Sequence, residues 1–161
     1  MLRFFKSGPY QDVQLGTLER SWSYWECDYA LPPLGTFKLK LCGGRKSPDA
    51  SSLALACELP ARPPSLLSQI EAKLFEHYGP YRDAVISGEE PGDASMAVHI
   101  KEAADVWPYV APVHVLIEPL PGTPMPGTPT IQIAFSAVWD EEHTLGARIQ
   151  GWRLIELCGS V

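Results

Sequence analysis

The chain has 161 residues, 45% of them hydrophobic, and a formal charge of -6 at pH 7. That length suits a single domain over residues 1–161, and the apolar content excludes a disordered chain. The acidic balance, with a pI near 5.2 and Arg45-Lys46 as the densest basic pair, excludes a phosphate-tracking surface, which needs a basic stripe.

Met1-Leu2-Arg3-Phe4-Phe5-Lys6 places charges around a very short apolar stretch. A secretion signal needs a longer apolar centre and a small-residue cleavage site. The first third then reads as strands. Trp25, Cys27 and Tyr29 alternate with Glu26 and Asp28, with Trp22 and Tyr24 just ahead. Pro32-Pro33 and Gly35 make a turn, after which Phe37, Leu39 and Leu41 alternate with Lys38 and Lys40. Leu53, Leu55 and Cys57 alternate in turn with Ala54, Ala56 and Glu58. Period two of this kind predicts half-buried strands, here three of them in an antiparallel meander.

One long helix is expected over about 64–79, where Leu66, Leu67, Ile70, Leu74 and Tyr78 form a stripe at a period of 3.6. Pro64 suits its first turn, Ser65 is a candidate cap, and Gly79-Pro80 stops or breaks it. Residues 87–95, rich in Gly, Pro and acid, read as a solvated loop, and a short helix is expected from Lys101 to Val106, closed by Trp107-Pro108. Strands return at Val113–Ile117, at Ile131–Trp139, and in two short runs, Ala147–Gln150 and Trp152–Leu157. Between them, 119–130 reads as a Pro/Gly-rich hairpin loop in polyproline-like conformation, repeating Pro-Gly-Thr-Pro. These prolines also rule out a membrane-spanning helix in the uncharged stretch between Glu118 and Asp140. The expected fold is α+β, an antiparallel sheet of about six to seven strands with the long helix packed on one face. The expected location is cytoplasmic, with no membrane or nucleic-acid partner.

Cys27, Cys42 and Cys57 recur every fifteen residues, which suggests a ligand set. Strand parity puts Cys27 and Cys57 on apolar faces and Cys42 beside Lys38 and Lys40, and no C-x-x-C pair is present. The sequence therefore assigns no metal, cofactor or catalytic residue. The turn Cys42-Gly43-Gly44-Arg45-Lys46-Ser47 lacks the spacing of a phosphate loop, and no strong helical pattern follows it at once.

The segment richest in chemistry is Trp139-Asp140-Glu141-Glu142-His143, at the end of a well-patterned strand. Three carboxylates beside an imidazole are a candidate acidic surface, or part of a metal or acid–base site. In an extended chain Asp140 and Glu142 face one way, Glu141 and His143 the other. A charged turn, with Trp139 packed into the sheet, explains the same residues without a function. Trp22, Tyr24 and Trp25 cannot share one strand face, so an exposed aromatic such as Trp22 is a candidate interface anchor.

The string Trp139 to Arg148, followed by two short strands, resembles the ending of a group of uncharacterised bacterial α+β domains. In that group Trp, an acid, Glu-His and Gly close the domain. The resemblance covers about twenty residues and brings no catalytic residue with it. Some such domains stand near toxin-immunity proteins, which implies a binder that neutralises a toxin. The sequence thus reads as a small binding domain whose candidate residues are Trp139, Asp140, Glu141, Glu142, His143 and Trp22, and whose acidity suits a basic protein partner. The alternative is a metal-assisted hydrolase using Glu141, His143 and a distant histidine. A third reading is a structural subunit of a larger assembly.

Overall fold

The computed structural model describes residues 7–161, so Met1 to Lys6, and the reading of that stretch as no secretion signal, lie outside the described residues. Four strands come first: β1 (Tyr10–Asp12), β2 (Gly16–Ser21), β3 (Tyr24–Leu31) and β4 (Gly35–Leu41). A helical stretch follows, with α1 (Ala50–Glu58), α2 (Pro63–Ser87), α3 (Met96–His99) and a 3-10 segment, Ala103–Tyr109. Four more strands complete the chain: β5 (Val110–Pro119), β6 (Pro129–Ala137), β7 (Asp140–Gln150) and β8 (Arg153–Cys158).

All eight strands form one sheet in sequence order. Every neighbouring pair is antiparallel except β4 and β5, which run parallel. Adjacent parallel strands require a crossover, and the helical stretch supplies it. The sheet therefore has more strands than the six to seven expected and is only mostly antiparallel.

Period two holds across it. Trp25, Tyr29, Leu31, Leu39, Leu41, Val115, Ile117, Ile131, Ile133 and Phe135 are all buried on the face that the helices cover. The stripe Leu66, Ile70, Leu74 and Tyr78 of α2 is buried against them. On the other face Glu26, Lys40, Leu116, Gln132, Arg148 and Glu156 stand side by side in register across six strands. Arg148 ties that row together, donating from Nε to Gln132 Oε1 and from Nη1 to Glu156 Oε1, both at 2.8 Å.

Several expectations are corrected. Leu53–Cys57 is not a third strand but lies in α1, whose N-cap Asp49 accepts the Ser52 N–H at 2.9 Å. The helix thus directly follows the Gly43-Gly44 turn, and the parity argument for Cys57 lapses. Helix α2 passes through Gly79-Pro80 to Ser87, with Arg62 rather than Ser65 at its N-cap and Gly88 in the left-handed region at its end. Beyond the break, Tyr81 is half-buried against the core with its ring 6.3 Å from that of Tyr78, packing that offsets the hydrogen bond Pro80 removes. Trp107-Pro108 lies inside the 3-10 segment rather than closing a helix. Gly122 and Gly127, at φ 73° and 76°, fold the 120–128 connection into turns, so it is not a polyproline-like stretch.

Candidate functional site

The β6–β7 hairpin turns at Val138-Trp139. Ala137 pairs with Asp140, but Ser136 pairs with Thr144, so Glu141, Glu142 and His143 are extra residues on β7. A bulge of this kind breaks the alternation of side chains. It overturns the expectation that Asp140 and His143 face apart, because His143 Nδ1 lies 2.8 Å from Asp140 Oδ1.

A second histidine reaches the same carboxylate from α2. His77 Nε2 is 3.7 Å from Asp140 Oδ2. Its other nitrogen, Nδ1, accepts the Trp139 Nε1–H at 3.0 Å. An imidazole that accepts at Nδ1 carries its proton on Nε2, the nitrogen facing Asp140. By the same logic, an Nδ1–H donated by His143 leaves its Nε2 as an acceptor. Trp139 itself is buried, 5% exposed, with its ring centroid 5.2 Å from that of Tyr78. The buried tryptophan positions this group through its indole N–H.

Between the bulge and the start of β5 lies a depression of about 390 Å³. Tyr109, Val110 and Val138 give it an apolar side, Asp140, Glu141 and His143 a polar one, and none of the described residues lining it is Lys or Arg. Glu142 is exposed beside it. Among the described residues no three His, Cys, Asp or Glu side chains converge on a metal position. Glu141, His143 and a distant histidine therefore do not form the ligand set that the alternative reading required.

Trp22 lies elsewhere. It occupies the β2–β3 turn with φ 53° and is 97% exposed. The register Trp25–Leu41–Ile117–Ile131 puts that turn at the sheet end opposite the bulge. The distance is about 20 Å along the strands alone. Of the six candidates, five are therefore neighbours and Trp22 is separate. His77 of α2 joins them. It lies ten residues before the end of that helix, and in the sequence only its place flanking the Leu74–Tyr78 stripe points to contact with the sheet.

Residues 14–160 match a family described as a domain of unknown function, DUF6985. The chain belongs to that family. The matched segment takes in every strand from β2 to β8, so the whole site lies inside the DUF6985 domain. No curated protein and no solved structure matches the chain. Among the described residues of this DUF6985 domain, no helix is long and apolar enough to cross a membrane.

Proposed function

We propose that this DUF6985 domain is a cytoplasmic protein-binding module that receives a basic side chain of a protein partner at the β6–β7 bulge. The observation that carries the reading is the bulge itself. It lifts Glu141 and Glu142 out of the ladder beside Asp140, at the rim of a depression whose described lining has no cation. The aliphatic stem of an arginine or lysine suits Tyr109, Val110 and Val138, while its charged end suits the carboxylates. His77 and His143 hold Asp140 from two sides, so its carboxylate is oriented before any partner arrives. The overall charge of -6 favours fast encounter with a basic protein. An immunity-type role, in which the domain covers a basic toxin surface, is the biological form of this reading.

The test is a titration with an arginine-containing peptide and its citrulline counterpart, following backbone amide shifts. Shifts are expected at Val138–Thr144 for arginine only. They should weaken roughly tenfold in the Asp140→Asn/Glu141→Gln/Glu142→Gln variant, as three partly exposed charges imply. Equal binding of arginine and citrulline, or an unaffected triple variant, removes the proposal.

A further inference from the structure

Strand β3 is paired unequally on its two sides. Toward β4 its pairing runs from Trp25 to Leu31, whereas toward β2 it covers only Tyr24, Trp25 and Glu26. Past Glu19, β2 turns away to pair with β1, Leu18 opposite Tyr10. Burial draws it there. Leu18 is fully buried, Tyr10 lies edge-on to Trp25 with centroids 6.2 Å apart, and Gln14 Nε2 donates to the Cys57 carbonyl of α1 at 2.6 Å. The β1–β2 hairpin thereby folds toward the helices. Where Leu18 and Thr17 would otherwise continue the ladder beside Cys27 and Asp28, a groove of about 440 Å³ opens, its charged lining being Glu19, Arg20, Glu26, Asp28 and Lys38. The Arg20 guanidinium is already engaged by the Gly43 carbonyl at 3.4 Å and by the Trp25 ring.

From Cys27 to Leu31 the groove side of β3 has no strand partner among the described residues. Main-chain N–H and C=O groups left along such an edge are a template for another strand. The far edge of the sheet is treated differently, because Gln69 Oε1 of α2 accepts the Leu154 N–H of β8 at 3.0 Å. The charges at the groove narrow the choice of occupant. Glu19 and Glu26 stand directly opposite each other, a pairing that repels. Lys40 stands opposite Glu26 on β4, but neither glutamate makes an ion pair among the described residues, while Asp28 already holds Lys38 Nζ at 2.7 Å. A second copy presenting the same edge would bring these carboxylates together with their own kind.

We infer that the Cys27–Leu31 edge of β3 binds an extended peptide segment carrying lysine or arginine, by adding it to the sheet as a further strand. Main-chain hydrogen bonds hold the segment, and Glu19 and Glu26 select its cationic side chain. This does not rest on the bulge site, which lies four strands away across the sheet.

The probe is an eight-residue peptide alternating lysine and valine, with a glutamate–valine peptide and a backbone N-methylated lysine–valine peptide as controls. Without peptide, alternate amides of Cys27–Leu31 exchange with solvent faster than their neighbours facing β4. On addition of the lysine–valine peptide these amides should shift and become protected. Glu19→Gln/Glu26→Gln should weaken the effect roughly threefold to tenfold while leaving the rest of the spectrum in place. No response at 27–31, or equal binding of the N-methylated peptide, overturns the inference. A response confined to Val138–Thr144 also overturns it, while leaving the bulge reading intact.

Discussion

Gln150 gathers the connection between β5 and β6 around one side chain. Its Nε2 lies within 3.1 Å of Thr123 Oγ1, Thr130 Oγ1 and the Met125 carbonyl, and 3.3 Å from the Thr128 carbonyl. Its Oε1 accepts the Met125 N–H at 3.1 Å. A glutamine 5% exposed is tolerated because the loop satisfies it. Replacing Gln150 by Leu keeps the bulk and leaves several loop groups without partners. We expect a loss of about 2 kcal/mol in urea unfolding, with faster amide exchange confined to residues 120–130. Unchanged exchange there would show that the glycine turns hold the loop alone. At this scale the sequence was informative where a residue acts through its type, as in the buried Trp139. It was silent on Gln150, because the hydrogen-bonding partners of a glutamine are set by tertiary approach.

Helices α1 and α2 show how a period can mislead. In α1, Leu53, Leu55 and Cys57 fit period two, yet Ser52, Ala56 and Leu59, three or four apart, are the residues driven inward. Small alanines and serines leave the two periods nearly indistinguishable, and the cap decides. Asp49 ends the extended chain at φ -64°, ψ 131° and accepts the Ser52 N–H. Asp49→Ala should cost about 1 kcal/mol while Asp49→Ser costs little, as read by thermal melts. Equal losses would place the effect in the preceding turn. For α2 the apolar stripe was legible but its length was not, because a Gly-Pro pair is a local signal that distant packing overrode. The candidate site followed the same pattern. Its carboxylates and His143 were visible as a string, whereas the bulge that turns His143 toward Asp140, and the arrival of His77, depend on pairing that no local period records.

For the molecule as a whole, burial of acidic groups sets an alkaline limit on stability. Burial, reinforced by neighbouring Asp28, pushes the Cys27 thiol from 9.0 up to about 11. Burial likewise raises the Tyr29 hydroxyl, which donates to the Ala56 carbonyl at 2.7 Å. Both groups ionise more easily in the unfolded chain. Their contribution is therefore complete below about pH 9 and declines as pH rises toward the folded values. Urea midpoints should fall across that window. Cys27→Ala should make the fall shallower by about 1–2 kcal/mol, and an identical slope in the variant would show that other groups govern the alkaline limb.

The single parallel junction divides the sheet more deeply than its unbroken strand order suggests. Four strands before the helices and four after them each follow one another through local turns. Among the described residues β4 and β5 share four register pairs, from Lys38 with His114 to Leu41 with Ile117, extended by the bond from the Cys42 N–H to the Ile117 carbonyl at 3.3 Å. Those pairs join positions far apart in sequence, and closing so long a loop costs more entropy than closing any hairpin beside it. The eight strands are thus one body through a single long-range ladder, with the helical layer packed over the same face, a splint on two ribbons set edge to edge.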